Sequence, residues 1–161
     1  MCELPAWLPP LVLLQDYHGD WGSYLDALYD GFSKDFLGQR PKFRGKRTGL
    51  KRHPVVQGKE ATFWHFIQEG PVEEDRIPDL RRCERIRWVR AIMEHEADPS
   101  IKSWTEERGS SRRVHLWHEE AEYLAVLDER EEYVLPWTAY TVTQEHRKQK
   151  LRKRYERWRK S

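Results

Sequence analysis

The sequence predicts an α+β fold, with N-terminal helices, an antiparallel β-sheet meander that has helices packed on one face, and a basic C-terminal helix. Apolar residues recur at helical spacing in three segments, and four strand-like runs follow one another between short turns. Strands grouped in this way are typical of α+β proteins. A chain of 161 residues can bury one core, so we expect a single domain over residues 19–145, continuous with a helix at 146–161.

The first predicted helix covers residues 20–36, with Asp20 as its N-cap. Its large apolar side chains share one face, at Trp21, Tyr24, Leu25, Leu28, Tyr29, Phe32 and Phe36. A stripe of this kind is more often core than a cofactor site, so we expect it to be buried. The preceding residues, 1–18, form an N-terminal extension without a basic region or a cleavage site, and we interpret them as mature chain.

A basic segment follows, with two short strands expected near Lys42–Thr48 and Thr62–Gln68. We predict that cations of this basic segment contact a nucleic-acid backbone, at Lys46, Arg47, Lys51 and Arg52. The next helix is predicted to begin at Pro78 and to end at Asp98-Pro99.

Four strand-like runs then predict an antiparallel meander, at 101–107, 112–118, 122–129 and 132–141. The closing helix is predicted to be capped by Thr141 or Thr143. Its residues 146–161 hold nine Lys or Arg and one Glu. Because the whole chain carries only +2, the residues before this helix are net acidic.

The asymmetric basic end predicts contact with a polyanion or with an acidic protein partner. Arg147, Lys150 and Arg154 are the candidate nucleic-acid contacts within it. A solvated helix face is the alternative.

Several classes of protein are disfavoured by the composition. The only cysteines are Cys2 and Cys83, which predict neither a disulfide framework nor a zinc site and fit a reducing compartment. His115 and His118 fall on opposite faces of one predicted strand, so they cannot chelate a metal as a pair. No apolar stretch approaches the length of a membrane span. We therefore expect a cytoplasmic protein that uses no metal or other cofactor and does not bind a membrane.

The strand at 112–118 alternates apolar and polar positions. Val114 and Leu116 point to one face, and Arg113, His115 and Trp117 to the other. If Val114 and Leu116 pack under the helices, the other three side chains line an open face where a ligand could bind. The alternative is that this face is simply exposed to solvent. Near the end of the last strand, Thr138 and Tyr140 add hydroxyls that could hold a phosphate oxygen, although β-forming residues are common there.

His65 lies in the apolar run "ATFWHFIQ", which predicts a covered strand. It is either a core residue with satisfied ring nitrogens or a catalytic group. Histidine, arginine, hydroxyls and aromatic side chains suffice for cleaving RNA, since RNA supplies its own 2′-OH nucleophile and needs only a base, an acid and cations for the phosphorane.

The runs "GKEATFWHFI", "RRCERIRW", "RRVHLW", "YLAVLDER" and "LPWTAY", followed by the basic "HRKQKLRKRYE", carry a family resemblance. Over roughly Trp21 to Tyr155 the chain resembles phage and prophage proteins of the Barnase–EndoU–Colicin–RelE-like nuclease superfamily. The resemblance implies a small metal-independent endoribonuclease that acts on RNA and is often a toxin. An acidic antitoxin or inhibitor is the protein partner that the basic helix could bind. A non-catalytic nucleic-acid-binding module, or a module that binds an antitoxin through the basic helix, is the alternative.

The resemblance also implies roles for individual residues. His65 would be the acid or base, Arg113 would stabilise the phosphate, and Thr138 and Tyr140 would orient the phosphate or assist proton transfer. Supporting candidates are Arg82, Arg85 and His115. His115 would be a second acid, and one of the two arginines would only stabilise the fold through Glu84 or the sheet. Trp117 would stack against a splayed base.

Overall fold

A six-stranded mixed β-sheet forms the centre of the fold. The structure is a computed structural model that describes residues 4–70 and 76–161, so Cys2 lies outside the described residues. The helices are α1 (Trp21–Ser33), α2 (Ala61–Ile67), α3 (Leu80–Glu84), α4 (Trp88–Glu94) and α5 (Glu145–Lys160). The strands are β1 (Lys42–Phe43), β2 (Lys46–Thr48), β3 (Gln68–Glu69), β4 (Ile77–Pro78), β5 (Ile101–Arg108), β6 (Ser111–His118), β7 (Tyr123–Glu129) and β8 (Tyr133–Thr141).

The predicted α+β fold is confirmed, and the predicted meander is present. Strands β5 to β8 pair antiparallel in sequence order, and the sheet continues from β8 through β2 to β1. β2 runs parallel to β8 and pairs only with its first two residues, Tyr133 and Val134. The rest of β8 has no described strand on its outer side, and α2 packs there instead.

Both faces of the sheet bury apolar side chains. One face, which includes Val114 and Leu116, packs against α1 to α4. The other face carries Trp104 and Trp117 and packs against Leu151 of α5. The expectation of an open sheet face is therefore wrong. Helix α5 covers the face that carries Arg113, His115 and Trp117.

Asp20 caps α1 as predicted. Its carboxylate accepts hydrogen bonds from the Ser23 backbone N–H at 2.9 Å and from the Ser23 hydroxyl at 2.6 Å. These hydrogen bonds hold the pKa of Asp20 below its ordinary value. The predicted burial of the aromatic stripe is confirmed at Tyr24, Phe32 and Phe36 but is wrong for Trp21, which is 39% exposed at the first turn of α1.

The N-terminal extension packs on the domain. The Trp88 indole N–H donates to the Pro9 carbonyl at 2.8 Å, and the Val12 N–H donates to the Glu84 carbonyl at 2.9 Å. The Tyr24 hydroxyl donates to the Val12 carbonyl at 2.7 Å. These bonds attach the segment before α1 to the helices that cover the sheet.

The predicted strand at Thr62–Gln68 is wrong, because residues 61–67 form helix α2. All seven of its residues are buried. An apolar run covered on every side has no polar face to mark its period, so a buried strand and a buried helix look alike in sequence.

The predicted strand at Lys42–Thr48 is in fact a hairpin of β1 and β2. Its two-residue turn, Arg44-Gly45, has positive φ at both positions, 52° and 78°. That conformation matches a type I′ turn, but an arginine at its first position hides the usual turn signal.

The helix predicted from Pro78 to Asp98 is divided by a turn into α3 and α4. Pro78 belongs to β4, and Asp79 caps α3 by accepting the Arg81 N–H at 2.9 Å. Neither Thr141 nor Thr143 caps α5, since its N-cap is Gln144, which makes no side-chain capping bond.

Candidate functional site

A cleft lies where β8 extends beyond β2, and we call it the β8 cleft. It has a volume of about 220 Å³. Its walls come from α2 and the residues that follow it, from α3, and from the second half of β8; they include His65, Gln68, Arg82, Trp137, Thr138 and Tyr140. The structure therefore brings together three of the four residues predicted to be catalytic.

His65 reaches the cleft from the middle of α2. Only 7% of the residue is exposed, and its ring meets the Trp137 ring edge-on at a centroid distance of 5.3 Å. Helical spacing places Ala61, Trp64 and Gln68 on the same side of α2, and all of these border the cavities around His65. A helix thus presents the imidazole, with the apolar side chains at other α2 positions anchored in the core.

Arg82 joins the three elements of the cleft. Its Nη1 donates to the Gln68 carbonyl at 2.8 Å and to the Thr138 hydroxyl at 3.2 Å. Its guanidinium lies 5.3 Å from the centre of the Tyr140 ring, and Nε is 3.5 Å from an Asp79 carboxylate oxygen. Thr138 accepts the Arg82 hydrogen bond through its oxygen, so its own proton can point to an anion in the cleft.

The Trp137 ring lies between Arg113 and the cleft. Its guanidinium lies over the Trp137 ring at 4.7 Å, while His65 contacts the edge of that ring. It does not line the cavity. The predicted contact between Arg113 and the reacting phosphate is thus replaced in the structure by a cation–π contact with a residue that does line it.

Trp137 was missed by the sequence reasoning. It is the extra residue of a bulge in β8, where Val126 pairs with Thr138 and Leu127 pairs with Pro136. Pro136 inside the strand signals such a bulge, and the side chain beside a bulge is re-aimed. Four more residues that line the cleft were missed and carry no local signal of this kind: Gln68, Glu69, Gly70 and Arg76.

Two further cavities continue the β8 cleft. One of about 380 Å³ shares His65, Gln68 and Arg76 with it and is walled by Pro54, Val56 and Trp64. The other, of about 400 Å³, shares Arg82 and Tyr140 and extends to Arg147 at the start of α5. The shared residues join the three cavities into one groove along α2, the second half of β8 and the start of α5.

Arg85 and His115 lie outside this groove. Arg85 donates to the Glu84 carboxylate at 3.3 Å and lies 5.2 Å from the Trp88 ring centre, so it is the arginine that braces the fold. His115 is buried under α5, where it stacks on Trp104 with ring centroids 4.9 Å apart. The proposal that His115 is a second catalytic acid is therefore wrong.

The ring nitrogens of His115 are both engaged. Arg154, which is always protonated, donates to Nε2 at 3.0 Å, so the proton is on Nδ1 and is donated to the Arg113 carbonyl at 3.1 Å. Burial and the Arg154 charge lower the pKa of His115 to about 4. Trp117 is completely buried on the same face, so it cannot stack against a base as predicted.

Several cations of the basic helix α5 form ion pairs with carboxylates of the same chain. Arg154 forms a two-armed ion pair with Glu106, at 2.6 and 2.8 Å. Arg152 pairs with Glu119 and Glu145, and Lys148 pairs with Glu122 at 2.7 Å. Arg154 is thus committed to the fold rather than available to a nucleic acid, contrary to the prediction for it.

The other side of α5 remains exposed. Four exposed side chains recur at spacings of three or four residues, which puts them on one helix face: His146, Lys150, Lys153 and Arg157. None of these four forms an ion pair with a carboxylate in the described part of the chain, and Arg147 beside them is also exposed. This face is the part of the basic helix that a polyanion can reach.

Acid should loosen the attachment of α5. His115 favours its neutral form in the folded protein, so its contribution to stability is complete above pH 6.5 and is lost as the pH falls toward 4. Hydrogen bonds from Arg154 hold the pKa of Glu106 at about 2, so its contribution is complete above about pH 4.5 and is lost below that value. We expect the free energy of unfolding to fall by about 1.4 kcal/mol per pH unit between pH 6.5 and 4 because of His115.

Urea unfolding at a series of pH values measures this slope. The variant His115→Gln should have a shallower slope in that range, with a remainder from His118, whose pKa burial also lowers. An unchanged slope in the variant would show that His115 is not held neutral by the fold.

Between residues 4–70 and 76–161, no group of three or more His, Cys, Asp and Glu side chains is arranged to hold a metal ion. Within the same ranges, no helix has the length and apolar character needed to cross a membrane. Comparisons with protein-family models, curated proteins and solved structures gave no match to the chain.

Proposed function

We propose that the protein is a metal-independent endoribonuclease that cleaves RNA by attack of the 2′-OH on the adjacent phosphate. The observation that carries this proposal is the convergence of His65, Arg82, Thr138 and Tyr140 on the β8 cleft. A titratable ring, a cation and two hydroxyls are the groups that this reaction needs from the protein, because the nucleophile belongs to the RNA.

In the proposed reaction, His65 accepts the proton of the 2′-OH. The 2′-oxygen forms a bond to phosphorus, the bond from phosphorus to the 5′-oxygen breaks, and the products are a 2′,3′-cyclic phosphate and a 5′-hydroxyl. Arg82 and the Thr138 hydroxyl stabilise the negative charge that develops on the phosphate oxygens. The leaving 5′-oxygen takes a proton from Tyr140, which recovers it from protonated His65 through solvent.

Arg82 takes the role that the sequence suggested for Arg113. Its guanidinium is positioned by the hydrogen bonds to Gln68 and Thr138, so it need not reorganise when the charge develops. Arg113 supports Trp137 from behind, and Trp137 in turn contacts His65. Arg113 is in this scheme a positioning residue.

A non-catalytic nucleic-acid-binding module is the second candidate. The exposed face of α5, with His146, Lys150, Lys153 and Arg157, favours it because this face binds a polyanion without any chemistry. The family resemblance further suggests that the ribonuclease is a toxin of prophage origin with an acidic antitoxin, and these roles stay predictions.

Incubation of the purified protein with end-labelled RNA in EDTA separates the two functions. The ribonuclease proposal predicts fragments that end in a 2′,3′-cyclic phosphate and no cutting at a nucleotide whose 2′-OH is replaced by hydrogen. RNA that stays intact at every protein concentration, including tRNA and ribosomal RNA, would leave only the binding function. Fragments that end in a 3′-hydroxyl would contradict the proposed attack by the 2′-OH.

A further inference from the structure

A concave surface beside the start of β8, which we call the basic cavity, carries four cations. Its volume is about 500 Å³, and its walls include Arg40, Arg47, Lys51, Arg52 and Tyr133. None of the four cations forms an ion pair with a carboxylate in the described part of the chain. Their neighbours in sequence, Arg44 and Lys46, do: Lys46 lies 3.5 Å from the Glu129 carboxylate, and Arg44 pairs with Glu96.

The backbone that carries these cations is fixed at both ends. The Gly49 N–H donates to the Val134 carbonyl of β8 at 2.8 Å. The first turn of α2 holds the other end, where the Thr62 N–H donates to the Lys51 carbonyl at 3.0 Å and the Lys51 N–H donates to the Thr62 hydroxyl at 2.7 Å. The cations are therefore presented by an ordered surface rather than by a loose loop.

Gly49 also shapes the basic cavity. A Cβ at this position would lie 2.9 Å from the Tyr133 ring, closer than carbon atoms approach without displacement. The missing side chain lets Tyr133 pack against the backbone, and the Arg47 guanidinium then lies 4.9 Å from the Tyr133 ring centre. Arg47 is thus held at the cavity by an aromatic ring, and no carboxylate among the described residues pairs with it.

One ring connects the basic cavity to the β8 cleft. The Lys51 ammonium of the basic cavity lies 5.7 Å from the centre of the Trp137 ring. His65 of the β8 cleft lies 5.3 Å from the same ring. Trp137 therefore contacts one residue of the basic cavity, Lys51, and one residue of the β8 cleft, His65.

We infer that the basic cavity binds a second backbone phosphate of the RNA chain whose reacting phosphate lies in the β8 cleft. The identity of the ligand as RNA rests on the proposed function. A concave surface whose four cations pair with no carboxylate of residues 4–70 and 76–161 selects an anion. The substrate class is a single-stranded RNA longer than a dinucleotide, because a duplex does not enter cavities of this size and a dinucleotide has only one phosphodiester.

The binding of 2′-O-methyl RNA tests the inference, since this polymer has no 2′-OH and cannot be cut. The probe is a fluorescein-labelled 2′-O-methyl oligonucleotide of several nucleotides, with a 2′-O-methyl dinucleotide beside it. For single strands, each phosphate contact contributes about −0.7 to the slope of log K against log salt. Because the cavity is inferred to hold one phosphate, the double variant Arg47→Gln, Arg52→Gln should make the slope for the longer probe shallower by about 0.7 and leave the dinucleotide unchanged.

A matched control removes the same charge elsewhere. Lys34 and Arg159 are exposed and paired within their own helices, with Asp30 and Glu156. The double variant Lys34→Gln, Arg159→Gln should therefore keep the slope of the unchanged protein. Circular dichroism of both variants checks that they are folded.

Equal changes of slope in the two double variants would overturn the inference, because they would show a general effect of charge. No change in the cavity variant would also overturn it. RNA that binds with the predicted slopes but is never cut would defeat the ribonuclease proposal alone and leave the phosphate site in place.

Discussion

Replacing His65 with asparagine should lower the rate of RNA cleavage in EDTA by about 10²–10⁴-fold, the usual contribution of a general acid–base residue. His65 is the only histidine that lines the β8 cleft within the described residues. Asparagine keeps a polar side chain at this position, and its helix propensity matches that of histidine, so α2 should be retained. Single-turnover cleavage of a labelled RNA measures the effect.

The control is His18→Asn. His18 is exposed, lies far along the chain from the cleft residues, and has a positive φ of 56°, a conformation that asparagine accepts readily. We expect its cleavage rate to be unchanged. If His65→Asn is folded, as judged by its melting temperature, and cuts RNA at the normal rate, His65 is a core residue and the assignment of the base is wrong.

Replacing Trp117 with alanine should lower the free energy of unfolding by about 3–5 kcal/mol, the usual cost of removing a large buried aromatic side chain. Trp117 is 0% exposed and belongs to the apolar cluster between the sheet and α5. The Lys102 ammonium lies 5.3 Å from its ring centre and would lose that contact as well. Urea unfolding near neutral pH measures the change.

Trp158→Ala is the matched control, since the same substitution is made in α5 at a tryptophan that is 43% exposed. It should cost less than about 1 kcal/mol. Similar small losses in both variants would mean that Trp117 is accessible on the sheet surface, as its position in the alternating strand suggested.

The sequence indicated the meander correctly because turn residues interrupt β5 to β8 at short intervals and the strands alternate. The register places Thr138 on the face of Arg113, because His115 pairs with Val126 and Val126 with Thr138, and Arg113 lies two residues before His115. The alternation of residues within the strands could not predict that α5 covers this face. A charged helix can be solvated, or it can pair with acids distant in sequence, as Arg154 pairs with Glu106 48 residues away.

The cleft was only partly predictable for a related reason. His65 was selected as the odd polar residue in an apolar run, and that criterion is independent of whether the run is a strand or a helix. Arg82 was a supporting candidate, and its position between Gln68, Thr138 and Tyr140 is a tertiary property of three separate elements. Arg113 faced the correct side of the sheet, but the bulge at Pro136 inserted Trp137 in front of it.

The return of α5 onto its own sheet affects how its role can be studied. Truncating the chain before residue 145 removes the lid from Trp104, Trp117, Leu124 and Val126 and leaves an apolar surface in water. Such a protein is prone to self-association, and its failure to bind nucleic acid would then report aggregation rather than the loss of cations. Charge-neutralising substitutions on the exposed side of the helix, at Lys150, Lys153 and Arg157, avoid this ambiguity.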